Sequence, residues 1–105
     1  MKKIAVLITA GSKKEAELIA RELVKKRLAA CVNIIPSVKS IYAWKGRIEE
    51  SKECLLIAKT RDGLFPLVEK AVKRSHSYEC PEITAFPLTK GSADYMRWIE
   101  DSTGR

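Results

Sequence analysis

Residues 29–60 read AACVNIIPSVKSIYAWKGRIEESKECLLIAKT, two long β-prone runs on either side of Lys45 and Gly46. Gly46 can take the positive φ that a tight hairpin turn requires, so the two runs are expected to fold back on one another as antiparallel partners. Pro36 has no N–H to give to a ladder, which places the first run at a sheet edge or at a bulge. The second run changes character along its length. Its outer part, EESKE (49–53), is polar, whereas CLLIA (54–58) is continuously apolar, as in a strand covered on both faces.

Working outward, KIAVLIT (3–9) is a second continuous apolar run and hence another central strand. Ser12 with Glu15 three positions on forms a capping-box pattern, and Ala16, Ile19, Ala20, Leu23 and Val24 follow at helical spacing to make one buried stripe. After the hairpin, Asp62 is placed to cap a second helix with Pro66 in its first turn. Leu64, Phe65, Val68, Ala71 and Val72 form its apolar face, and the helix is expected to end near Ser75 or His76. EITAFPL (82–88), bracketed by Pro81 and Pro87, reads as a short edge strand, and a last helix starts at Gly91 and Ser92. The order β-α-β-β-α-β plus a terminal helix is the split βαβ arrangement, with strands one and three inside and strands two and four at the edges.

A chain of 105 residues is the size of one domain, spanning 1–105, and one so short leaves apolar surface that a second subunit can cover. No apolar run approaches the roughly 20 residues of a bilayer span, and the N-terminal stretch lacks a secretory cleavage pattern. Cys31, Cys54 and Cys80 are odd in number and contain no C-x-x-C pair, which suits free thiols. These readings together lead to the expectation of a cytoplasmic protein with no membrane partner. The net charge of +7 admits nucleic acid as a ligand, yet strand three carries no aromatic to stack on a base and acids interrupt the basic runs. No nucleic-acid partner is expected. High Lys, Arg and Glu with little Asn and Gln also describes a solvated, heat-tolerant surface.

Three groups of residues invite a functional reading. Tyr42 and Trp44 lie on the outer hairpin, beyond what two helices can cover, and mark either an interface or packing against Tyr95 and Trp98 of the last helix. HSYECPEI (76–83) puts the single histidine near Glu79, Cys80 and Glu82, donors that suit a soft metal ion. H-x-x-x-C is not a zinc pattern, and the same residues also read as a histidine at a helix C-terminus followed by a proline-braced turn. In KTRDG (59–63), Lys59 and Arg61 precede the N-terminus of helix two, a natural anion site. Lys59, Tyr78 and Glu82 would be acid, base and orienter if the protein were an enzyme, but no catalytic motif is present and none is expected.

The motifs A-A-C-V-N-I-x-P, Y-x-W-x-G-x-I, LLIAKT, H-x-Y-x-x-P-E and DYMRWI, in this order over nearly the whole chain, resemble the CutA family of divalent-cation-tolerance proteins. The resemblance implies a ferredoxin-like α+β fold and a P_II-like homotrimer whose hairpins meet between subunits. It implies a role in the response to metal ions, with copper binding attributed to some members and no organic cofactor. It also implies an intersubunit cleft formed by Cys31, Tyr42, Trp44, Lys59, Tyr78 and Glu82, with His76 nearby. His76, Glu79 and Glu82 are then the candidate metal ligands. Two positions depart from the family pattern: Ser77 stands where many members carry proline, and Ile8 where some members implicated in copper binding carry cysteine. A P_II-like sensor that holds a small anion is the alternative reading.

Overall fold

A computed structural model describes residues 2–104. The elements are β1 (Lys3–Ala10), α1 (Lys13–Lys25), β2 (Cys31–Trp44), β3 (Arg47–Arg61), α2 (Phe65–Ser75), β4 (Ile83–Pro87) and α3 (Ala93–Ser102), with one 3-10 turn at Asp62–Leu64. The sheet order is β2-β3-β1-β4 with every neighbouring pair antiparallel. The continuous apolar runs are therefore the two central strands, and both proline-bearing strands lie at the edges.

Side chains alternate across a strand, so the register divides the sheet into two faces. On one, Ile4, Val6, Ile8, Leu56 and Ala58 pack against Ile19 and Leu23 of α1 and Val68 and Val72 of α2, closing the core. Val24, expected in the buried stripe, is 43% exposed, because it rims a groove beside Val32 and Ile34 of the edge strand instead of facing the sheet. On the opposite face α3 covers one end only. There Ile99 is fully buried, Lys3 Nζ donates to Glu100 at 2.9 Å, and Arg61 donates to the Thr103 hydroxyl at 2.9 Å and its carbonyl at 2.6 Å. The rest of that face stays open, with Ile35 40% and Phe86 49% exposed.

The hairpin turn takes positive φ at both central residues, 50° at Lys45 and 78° at Gly46, as a two-residue turn matched to strand twist demands. Farther in, the register slips between Ile35 and Val38, so that Pro36 and Ser37 together oppose Cys54. This bulge reverses the parity of everything beyond it. Val38, Ser40, Tyr42 and Trp44 are thereby brought to the same sheet face as Glu53, where an uninterrupted ladder would have put them on the other.

The helix starts differ in part from the expected caps. Ser12 accepts from the Glu15 N–H at 3.1 Å, but the Glu15 carboxylate turns to Ser77 instead of closing the box. Asp62 forms no side-chain cap; its own N–H bonds to the Lys2 carbonyl at 2.9 Å, and a 3-10 turn precedes α2.

Candidate functional site

A cleft of about 630 Å³ lies where the outer hairpin passes the turn that follows α2. Three of its residues, His76, Ser77 and Tyr78, hold that turn in place. His76 Nε2 meets the Thr9 carbonyl at 2.5 Å, and because a carbonyl only accepts, this nitrogen carries the proton. Nδ1 in turn accepts from the Tyr78 N–H at 3.1 Å. Ser77 donates its N–H and hydroxyl to Glu15 at 3.1 and 2.8 Å, a use that a proline at this position could not serve. Tyr78 packs edge-on against His76, with ring centroids 4.6 Å apart, and its hydroxyl donates to Glu53 at 2.8 Å. Gly11 makes this possible, since a Cβ there would lie 3.1 Å from the Tyr78 hydroxyl oxygen. Burial, followed by the bond to Glu53 and its negative charge, pushes the Tyr78 phenol well above its ordinary range and keeps it a donor.

The expected site residues fall into two groups within the single chain. Tyr42, Trp44, Tyr78 and Glu82 line the cleft together with Glu79 and Cys80. Tyr42 also shares a 2.7 Å hydrogen bond with Ser51. Cys31 and Lys59 sit elsewhere. Lys59 lies six residues from Glu53 along β3, about 20 Å at strand rise. Its ammonium bonds to Asn33 Oδ1 and lies 3.7 Å from Cys31 Sγ, and the Tyr95 hydroxyl is 3.6 Å from the same sulfur. The contact with Cys31, with burial second, raises the Tyr95 phenol. Tyr95 and Trp98 stack on each other at 5.5 Å. Trp44 has the Lys45 ammonium over its ring at 5.6 Å.

The proposed ligands are not assembled around one point. Both nitrogens of His76 are engaged within the chain, and His76 does not line the cleft. Glu82 accepts from the Thr84 hydroxyl at 3.2 Å. Among the described residues no three His, Cys, Asp or Glu side chains come close enough to hold a metal ion. The geometry of the single chain thus does not fit a metal by itself. Lys59, Tyr78 and Glu82 likewise do not converge as a catalytic set, and Lys59 and Arg61 direct their charges to Asn33 and Thr103, away from the start of α2.

Glu53 is the residue that sequence reasoning passed over. It lies in a stretch read as a polar outer hairpin, yet it is only 8% exposed and forms part of the cleft wall. The available signal was its parity: Glu53 stands two residues before Leu55, and so on the same face of β3.

Comparison with known proteins agrees with this architecture. Residues 4–102 match the family described as CutA1 divalent ion tolerance protein. The chain is 46% identical over 99 residues to the divalent-cation tolerance protein CutA of Thermus thermophilus, covering 94% of this chain and 96% of that one. It is 44% identical to Protein CutA of Mus musculus, again over 94% of this chain, but spans only 56% of the mouse protein. The solved Thermus thermophilus structure superposes with a TM-score of 0.95 at 45% identity, covering 97% of this chain and 99% of the other. The structure of the periplasmic divalent cation tolerance protein CutA from Archaeoglobus fulgidus does so with a TM-score of 0.94 at 42% identity, covering 96% and 98%.

These names correct the expected location. One neighbour is called periplasmic, and a relative from Arabidopsis thaliana, 39% identical over 100 residues, is called chloroplastic, so a cytoplasmic location has no support. The physical reason is that free thiols and the lack of a bilayer span do not distinguish among these compartments. With a match over nearly all of its length and superposition on several solved relatives, the chain belongs to the CutA1 divalent ion tolerance protein family.

Proposed function

We propose that this chain acts in divalent-cation tolerance as a homotrimer without catalytic activity, and that it takes up a divalent cation, Cu(II) foremost, at the cleft beneath the outer hairpin. The observation that carries the reading is the sign of the cleft. Glu53, Glu79, Glu82 and Cys80 line it and, among the described residues, no lysine or arginine does, in a chain of net charge +7. Relatives named for divalent-cation tolerance support the ligand class. Since one subunit does not gather three donors, a neighbouring subunit completes the set in this reading. The open sheet face with Ile35, Phe86 and Trp98 exposed, and the unpaired edges of β2 and β4, supply surface for such a neighbour. Cu(II) is favoured over other first-row divalent ions by its general order of affinity.

Calorimetric titration of Cu(II) into the wild type and the Glu79→Gln/Glu82→Gln double variant tests this. Binding by the wild type, weakened at least about tenfold in the variant, which is about 1.4 kcal/mol, is expected. No binding by the wild type, or equal binding by both, refutes it. His76→Ala completes the series: reduced affinity means that the ring gives up an internal bond to reach the metal, and unchanged affinity assigns it to holding the turn.

A further inference from the structure

We propose that the groove between the end of α1 and the outer face of α2 binds a small organic phosphate, a phosphate monoester carried on a short apolar body. The groove has a volume of about 440 Å³ and is lined by Lys26, Leu28, Leu67, Lys70, Ala71 and Arg74. Its charged groups are all cations. Residues 13–27 and 65–75, which make up this helical layer, carry nine lysines and arginines against four glutamates, so five of the chain's seven excess positive charges lie here. The layer packs on the closed face of the sheet. The groove therefore involves neither the outer hairpin nor the open sheet face, is lined by one chain alone, and does not rest on the metal reading.

The pairing pattern along the helices points to the cations of this groove. Glu17 with Arg21, Glu22 with Lys26 and Glu69 with Lys73 stand four residues apart and form ion pairs. Lys70 and Arg74 stand at the same spacing with like charge, which is mildly destabilising for a helix unless an anion lies between them. Arg21 and Lys25 share that spacing, but Arg21 has Glu17 at 3.8 Å. Among the described residues neither Lys70 nor Arg74 forms an ion pair or a side-chain hydrogen bond. Glu22, whose carboxylate also feels Arg74, is already held by Lys26 at 2.8 Å and by the Ser75 hydroxyl at 2.7 Å. Arg74 offers a planar fork of donors that matches two phosphate oxygens, and Lys70 and Lys26 add point charges. The floor selects the body of the ligand. Leu28 and Ala71 are buried, while Leu67, three residues before Lys70 on the same side of α2, is 43% exposed. A bare inorganic ion leaves Leu67 in water, whereas an ester with an apolar group covers it. The volume also falls within the roughly 300–1,000 Å³ of small-molecule sites. Lys59 and Arg61, the cations that the sequence offered for an anion, direct their charges to Asn33 and Thr103 instead.

Calorimetric titration of the full chain with phenyl phosphate, inorganic phosphate and benzyl alcohol tests this, in low salt at pH 8 with EDTA present. The monoester is then a dianion, since its second pKa is about 6. Saturable binding of phenyl phosphate is expected, at least about tenfold tighter than that of inorganic phosphate, with none of the alcohol. Lys70→Gln/Arg74→Gln should weaken it at least about tenfold. Lys13→Gln/Lys14→Gln removes the same charge at the start of α1, roughly 18 Å along the helix from its end, and should leave binding unchanged. Leu67→Ser should bring phenyl phosphate down to the level of inorganic phosphate. All of these side chains are exposed, so the variants are expected to fold. No binding of phenyl phosphate, binding no tighter than that of inorganic phosphate, or an equal loss in both double variants overturns the proposal. Binding confined to phosphorylated peptides or to anionic vesicles overturns it as well.

Discussion

Replacing Tyr78 by Phe removes one oxygen and with it the 2.8 Å bond to Glu53, leaving a carboxylate that is 8% exposed without its donor. Hydrogen bonds to charged groups contribute about 1.5–3 kcal/mol when a buried partner is left behind. Two features lower this figure: Tyr78 is only half-buried, and cleft water can reach the freed oxygen. The expected loss is about 1–2 kcal/mol of folding stability, and at about 4–8 °C per kcal/mol the melting temperature falls measurably. Chemical denaturation of wild type, Tyr78→Phe, Glu53→Gln and the double variant closes a cycle, all at one protein concentration because the proposed subunit association would contribute to apparent stability. A coupling of at least about 0.5 kcal/mol between the two positions is expected. Additive effects would show that the Tyr78–Glu53 bond does not organise the cleft.

Other outcomes follow from the same structure. Light scattering should give a mass near three times 11.8 kDa, and Trp44→Asp, which puts a carboxylate among the acids of the cleft, should dissociate or aggregate the protein; a monomeric wild type refutes the assembly. Stability should be steady below the ordinary tyrosine range and fall as pH rises above about 10, because the unfolded phenols lose protons that the raised Tyr78 and Tyr95 retain; Tyr78→Phe should flatten that decline. In acid the sign reverses. Glu22, held below its usual 4.5 by Lys26 and then Ser75, contributes stability at neutral pH that is lost as pH falls below that value, and Glu22→Gln should blunt the loss. Binding to single-stranded RNA should vanish steeply with salt; micromolar affinity retained at about 0.2 M would contradict the lack of a stacking platform on β3.

Much of the fold was legible because the chain's strongest signals are local. Continuous apolar runs marked the central strands β1 and β3, prolines marked the edges, and Ser12 and Ser92 marked helix starts where each serine side chain accepts a capping bond. The bulge at Pro36 was foreseeable as one option, but its consequence was not. Whether Tyr42 faces Glu53 depends on counting residues across the irregularity, and pattern alone does not supply the count. The site was read less well for a related reason. His76 has the composition of a ligand, yet its role depends on Thr9, sixty-seven positions away, which accepts from one ring nitrogen. Cys31 and Lys59, expected with Tyr78 and Glu82 in a cleft between subunits, lie apart from them within one chain because β3 is extended. Ser77, a departure from the family pattern, turned out to have its own partner in Glu15.

Diffraction from crystals grown with Cu(II), with anomalous data collected at the copper edge, tests the central claim most directly. The account predicts an anomalous peak in the cleft, within bonding distance of Glu79 or Glu82 and of at least one residue from a second subunit of a trimer. A copper peak bound wholly outside the cleft, or a cleft whose carboxylates are already paired with lysine or arginine from a neighbouring subunit, would contradict it.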